Sequence, residues 1–224
     1  YCLDFMYEKY YGGTKGKLPA GSNWWDSYIG SSQNLTRILL ALRDELEYDQ
    51  IKHYTDYMDS IIYEPIYTSA NMIDIAYSVI LSSALQKDGV RLANAVKIMS
   101  ENLFDYVTEG DGMYTDGSYI MHGNIAYTGN YGAILITQLS DIMYAVAGSD
   151  YAFSDEIVNR QIDWIFDAYA PTMWQGTAMS AVVGRKVWGG NENSRSAATI
   201  IGFALIAQYA PPERAAQIQS LIKY

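Results

Sequence analysis

Apolar residues recur at helical spacing along nearly the whole of this 224-residue chain, and no strand pattern of convincing length interrupts them. Leu35, Ile38, Leu39, Leu42 and Leu46 fall on one face of a helix that Ser31 or Ser32 can cap and that runs to about Leu46. Ile73, Ala76, Tyr77, Ile80, Leu81 and Leu85 mark another. The same spacing predicts a short aromatic-rich helix over 3–11, one around 50–61, and further helices over 92–107, 134–146, 154–169, 196–209 and 212–222. Each such element carries an apolar stripe that must be buried against a neighbour. The chain is therefore read as all-α and as a single domain over 1–224. Short connections alternate with long polar loops, which suits stacked helical hairpins whose loops gather on one face. A closed ring of hairpins and an open solenoid both meet that description, and no repeat of fixed period demands the solenoid.

Several classes of function are excluded early. Net charge is −10, whereas nucleic acid binding needs a basic footprint. No apolar run is long enough to span a bilayer, and no Gly-x-Gly-x-x-Gly fingerprint is present. The single cysteine, Cys2, rules out an internal disulfide and any cysteine-based metal cluster. Neither histidine, His53 nor His122, has a second His or Cys at ligand spacing, so no metal and no cofactor is expected. Half of the residues are hydrophobic, enough for a sizeable core. The 21 tyrosines mostly serve as helix packing, but a flat ring with a hydroxyl also suits a polyhydroxyl ligand. A start at Tyr1 with no signal-peptide pattern fits either a processed product or a piece of a longer chain.

Chemistry-bearing residues collect in the loops. The longest polar stretch, Asp111 to Gly132, is dense in Gly, Asp, Asn and Tyr and holds His122. If the chain is helical from Gly129 onward, Tyr131 turns back toward His122 and the two can form a proton-transfer pair. Tyr127 and Tyr131, four apart, would then share a helical face, and packing is the competing role for at least one of them. Asn71 precedes an apolar run and reads either as an N-cap or as an amide that donates to a substrate carboxylate. Adjacent Trp24 and Trp25, after Asn23, cannot both face one core. They wedge hairpins apart or stack on a sugar ring. Arg185, after Gly184, pairs with a carboxylate or a tyrosine, or forms a surface ion pair. Glu109, Asp111 and Asp116 offer a glycosidase carboxylate pair as an alternative chemistry, although acidic residues in such a loop are more often turn formers.

Taken in order, Asn23-Trp-Trp-Asp with Ile29-Gly, Thr68-Ser-Ala-Asn71 with Asp74, the whole Asp111–Gly132 stretch and Gly184-Arg185 resemble polysaccharide lyase family 8, the family of hyaluronate, chondroitin AC and xanthan lyases. The resemblance runs across most of the chain, and the third block is the specific one. It implies an incomplete α/α toroid whose cleft is formed by loops on one face, followed in the longer chain by flanking β-rich domains. It implies a bacterial protein, secreted or at the cell surface, acting on an anionic polysaccharide, with hyaluronan or chondroitin ahead of xanthan-like polymers. The reaction implied is β-elimination next to a uronate carboxylate, leaving a 4,5-unsaturated uronate. Asn71 and His122 would neutralise the carboxylate, Tyr131 would move the proton, and Arg185 would assist the tyrosine. A free tyrosine, with a pKa near ~10, needs such a cation or donor to serve as a base. Asn23, Trp24, Trp25, Tyr127 and Arg195 would hold the polymer, with packing or support as the other role for Tyr127. Asn and His then do what Ca²⁺ does in other lyases.

Two positions depart from the family pattern. Gly189 stands where a second arginine is common, with Arg195 further on, and Met72 stands where a basic residue is frequent. Both remove positive charge from the expected cleft. They point to a different uronate polymer or to weak or no activity and so keep a non-catalytic polysaccharide-binding role as an alternative to the lyase, while Glu109, Asp111 and Asp116 keep a toroid glycoside hydrolase as another.

Overall fold

The computed structural model describes residues 1–11, 21, 23–187 and 192–223. Most of the Gly12–Ser22 loop and Gly189 lie outside the described residues. The chain forms two compact units, one of residues 1–67 and 74–98, the other of residues 68–73 and 99–224.

The first unit opens with α1 (Cys2–Met6), which widens into a π-helical turn over Tyr7–Tyr11. A second π turn, Asp26–Gly30, runs into α2 (Ser31–Ala41). The apolar spacing predicts this helix as far as Leu46. It stops at Ala41 because Leu42 leaves helical backbone angles (φ −100°, ψ 7°), and the chain turns toward α3 (Tyr48–Ile61). Leu46 still packs on the buried cluster of Leu39, Ile51, Tyr54 and Leu85, so its periodic position reflects packing rather than helix. A capping box starts α3: the Glu47 side chain accepts from the backbone of Gln50, and the Gln50 side chain accepts from the Glu47 N–H at 2.9 Å. α4 (Ser69–Leu85) is apolar almost all round and correspondingly buried; its residues from Asp74 belong to this unit. α5 (Gly89–Asn102) follows and carries Arg91, whose buried guanidinium is paired with Asp59 at 2.7 Å.

The second unit is built on α6 (Tyr131–Val146), which packs along α8 (Glu192–Tyr209), with α9 (Pro212–Ile222) against α8. Leu135, Ile136, Leu139, Ile142 and Met143 of α6 and Phe203 and Ile206 of α8 are buried here. α7 (Asp155–Trp164) is capped by Ser154, whose hydroxyl accepts from the Ile157 N–H at 3.4 Å. Asp155 and Glu156 in its first turn meet the positive end of the helix dipole. Trp164 at its end stacks on Phe104 with ring centroids 5.5 Å apart.

The fold is all-α, as the periodicity predicts, with short strands only in loops. The Asp111–Gly132 stretch is not irregular: β1 (Gly112–Met113), β2 (Tyr119–Met121) and β3 (Ile125–Ala126) form an antiparallel meander with Met113 opposite Tyr119 and Met121 opposite Ile125. Strands of two or three residues are too short to show alternation in sequence. A second hairpin, β4 (Met173–Trp174) and β5 (Thr177–Ala178), turns through Gln175 and Gly176, both with positive φ, the geometry of a type I′ turn. Among the described residues no helix is long and apolar enough to cross a membrane.

Candidate active site

The meander fixes the first of the candidate groups. His122 is the residue after β2, in a three-residue connection to β3, and its backbone is left-handed (φ 55°). Few residue types other than Gly, Asn, Asp and His enter that region, at a cost of roughly 1 kcal/mol or more. The turn is held by Asp111, whose Oδ1 accepts from the Gly123 N–H at 2.7 Å. Asp116 likewise accepts from the Ser118 N–H at 2.9 Å, and that bond lowers its pKa. Both carboxylates thus serve as turn acceptors, the role that competes with a hydrolytic pair in such a loop.

Tyr131 is the first residue of α6, and its ring meets His122 edge-on at 5.3 Å between centroids. Tyr127 does not share a helical face with it, because the helix starts only at Tyr131. Tyr127 lies before it, where its N–H donates to the Tyr119 carbonyl at 2.9 Å. The rings nevertheless meet at right angles, 5.0 Å apart, and Tyr127 also contacts His122 at 5.8 Å.

Arg185 closes the cluster from a distant part of the chain. Its backbone N–H and its Nε–H both donate to the Tyr127 hydroxyl, at 3.0 and 2.9 Å, and its Nη2 lies 2.9 Å from His122 Nε2. The arginine pKa is raised, chiefly by the hydrogen bond with Tyr127, with smaller contributions from its charge interactions with Tyr127 and Tyr131 and from a Tyr131 hydrogen bond. Tyr127 is only 1% exposed. Its hydroxyl is taken up by Arg185, so it supports the cluster from within. Gly184 makes this possible. Its φ is +56°, and a Cβ there would run into the Tyr127 ring. The sequence signal for it is a lone Gly immediately before the arginine.

Asn71 is the third residue of α4, half-buried in its first turn, and is not the residue that caps the helix. Its side-chain amide makes no hydrogen bond to another described residue. Met72 beside it is buried. Arg195 lies half-buried on α8, and its guanidinium is joined to this cluster by no hydrogen bond or ion pair among the described residues.

The remaining candidates belong to the first unit. Trp24 and Trp25 are both well exposed. Trp24 leans on Tyr67 (5.1 Å) and Tyr28 (6.4 Å), which makes an aromatic surface of three rings. The Trp25 ring lies over Gly30, where a Cβ would come within 2.8 Å of it. Asn23 is exposed, and its side-chain oxygen accepts from the Trp25 N–H at 3.1 Å. Sequence reasoning picked out neither Tyr28 nor Tyr67. Among the described residues no group of three or more His, Cys, Asp or Glu side chains is placed to hold a metal ion.

Residues 1–224 match the family model for the N-terminal α-helical domain of polysaccharide lyase family 8. A xanthan lyase of Bacillus sp. (strain GL1) is 31% identical over 99% of the chain, and a hyaluronate lyase of Enterococcus faecalis 29% identical over 99%. The chain spans about a quarter of the length of these two relatives, 24% of each. Among solved structures, a Paenibacillus xanthan lyase superposes with a TM-score of 0.90 at 28% identity, over 99% of this chain and 21% of that one. The chondroitin AC lyase of Streptomyces coelicolor in complex with chondroitin sulphate gives 0.84 at 27% identity, over 96% of this chain and 31% of that one.

Proposed function

We propose that this chain, which belongs to polysaccharide lyase family 8, carries the proton-transfer and charge-neutralising groups of a lyase that cleaves a uronic-acid-containing polymer by β-elimination. The observation that supports it most directly is the cluster around Arg185, whose one guanidinium contacts the Tyr127 hydroxyl and the His122 ring while Tyr131 stands edge-on to both rings.

The chemistry sets three tasks. A proton on C5 of a uronate is not acidic while the neighbouring carboxylate carries its full charge. Donors aimed at that carboxylate stabilise the charge that builds on it. The Asn71 amide and the His122 N–H take this role. The second task is the proton itself. Tyr131 takes it from C5; the electrons left behind form the C4–C5 double bond as the bond from C4 to the glycosidic oxygen breaks. Tyr131 returns a proton to that oxygen. The third task is to hold negative charge on the tyrosine oxygen during this exchange, and Arg185 is the cation that contacts this cluster.

Hyaluronan or chondroitin is the first substrate class and xanthan-like polymers the second. Trp24 and Trp25 supply exposed aromatic faces on which sugar rings stack. A secreted or cell-surface bacterial protein with flanking β-rich domains completes this reading. In the test, the intact protein is incubated with hyaluronan, chondroitin and xanthan, and the near-ultraviolet absorbance of the unsaturated uronate is followed. Tyr131→Phe is expected to abolish that signal and leave polymer binding in place. Products lacking the double bond, or full turnover by Tyr131→Phe, would overturn the proposal.

A further inference from the structure

The geometry points to Tyr119 as the positioning residue for Asn71; the inference rests on the reading, above, that Asn71 meets the substrate carboxylate. Asn71 lies two residues beyond Ser69, the first residue of α4. Ser69 is an unusual helix start, because its backbone is left-handed (φ 54°), a region that disfavours serine and persists only where surrounding contacts fix it. The contact that fixes it is a short one. Ser69 Oγ and Tyr119 Oη are 2.6 Å apart, and both residues are buried. A buried hydroxyl–hydroxyl bond this short ties the first residue of α4 to Tyr119.

Tyr119 is in turn tied to the other groups of the cluster. It sits in β2, three residues before His122, and its carbonyl accepts the Tyr127 N–H. Its ring lies against Gly132, the residue after Tyr131: a Cβ at Gly132 would come within 3.2 Å of Tyr119 Cδ1 and 3.3 Å of Tyr169 Oη. Tyr169, fully buried, donates to the Gly132 carbonyl at 2.6 Å. Tyr119 thus links the start of the Asn71 helix to the strand that leads into His122 and to the first turn of the helix that carries Tyr131. Packing alone would be met by phenylalanine. The hydroxyl is what sets where α4 begins and hence where the Asn71 amide points.

The test compares Tyr119→Phe, Ser69→Ala and their double variant in the intact protein, each with and without Asn71→Ala. Either single change is expected to lower kcat by about 10- to 100-fold, the usual consequence of a misplacement near 1 Å, with KM within about twofold. In the Asn71→Ala background Tyr119→Phe should lower kcat no further. The double variant Ser69→Ala with Tyr119→Phe should lower kcat no further than either single change, because both remove the same contact. A full rate in Tyr119→Phe, an equal fold loss with and without Asn71, or a double variant whose loss is the product of the two single losses would overturn the inference alone. Full turnover by Asn71→Ala would instead overturn the role given to Asn71 in the proposed function, and this inference with it.

Discussion

Nη2 of Arg185 lies 2.9 Å from Nε2 of His122. An arginine only donates, so Nε2 accepts and the imidazole proton is on Nδ1. That orientation leaves Nδ1–H as the group free to donate to a substrate carboxylate, and His122 is exposed enough to do so. Arg185 therefore sets the histidine tautomer in addition to holding Tyr127.

Lysine cannot do both. Its ammonium is a point charge without the planar fork that spans the Tyr127 hydroxyl and the His122 ring. Arg185→Lys is expected to lower kcat by roughly 10²- to 10³-fold, the range seen when one transition-state donor is lost. Stability should hardly change, because Arg185 is exposed and the Tyr127 hydroxyl keeps the backbone N–H of residue 185 at 3.0 Å. Steady-state kinetics beside a thermal melt checks both halves. A variant that loses its fold, or one that keeps its rate, contradicts the prediction.

Gly184 and Gly110 both have positive φ but differ in surroundings. An added Cβ at Gly184 collides with the buried Tyr127 ring, whereas at Gly110 (φ +77°) nothing lies within 4 Å. Gly110→Ala should therefore cost only the backbone term, about 1 kcal/mol. Gly184→Ala adds overpacking against a ring that has nowhere to move, for about 2–4 kcal/mol in all. It should also displace Arg185 and lower the rate, which Gly110→Ala should not. Denaturant unfolding of the two variants, with activity, measures the contrast.

These relationships mark the limit of what the sequence discloses. The helices are legible because packing imposes a 3.6-residue period that survives in composition, as at Leu35, Leu39, Ile80 and Leu85. The approach of Tyr131 to His122 is legible because the two lie close in sequence within one polar stretch, although the helix expected from Gly129 starts only at Tyr131. Tyr127 misleads, since its spacing to Tyr131 is helical while its backbone is not. Leu46 misleads in the same way. The partnership of Ser69 with Tyr119 spans 50 residues and uses two common residue types, so no local pattern announces it. Arg185 stands out as a candidate in sequence and the resemblance sets it beside Tyr131, but its reach to His122 across 63 residues is announced by neither.

At the other end of the chain, the Tyr54 hydroxyl donates to Asp4 Oδ1 at 2.6 Å. The hydrogen bond to Asp4 pushes the Tyr54 pKa up to about 12, and the same bond lowers that of Asp4. A raised tyrosine pKa contributes stability that is complete below the unfolded value near ~10 and is lost as pH climbs through the folded value. A depressed carboxylate contributes stability present above its unfolded value and lost as pH falls through the folded one. Asp4→Asn should thus be less stable than wild type at pH 7. The gap should narrow from about pH 10 upward and again below about pH 4. Unfolding midpoints of the two proteins across pH test this, and a constant gap up to about pH 11.5 would contradict it.

Arg91 presents the opposite situation, a charge taken fully out of water. Its side chain is 2% exposed and pairs with Asp59 at 2.7 Å. Nε–H donates to the Tyr63 carbonyl at 2.8 Å, Nη2–H donates to that of Ile62 at 3.1 Å, and the guanidinium lies 4.5 Å from the Tyr63 ring centroid. Removing it with Arg91→Met leaves two carbonyls short of a donor and Asp59 with only the Gln86 amide (2.6 Å) and the more distant Ser82 hydroxyl. The expected loss is about 3–5 kcal/mol, because an uncompensated buried charge costs more than the pair contributes. Arg91→Lys should fall between, since an ammonium that reaches Asp59 cannot also meet both carbonyls. Adding Asp59→Leu to Arg91→Met removes the stranded carboxylate and should recover part of the loss. The double-mutant cycle measured by denaturant unfolding then gives a coupling of about 1 kcal/mol or more. Strictly additive losses would mean that the carbonyl contacts, and not the ion pair, hold Arg91 in place.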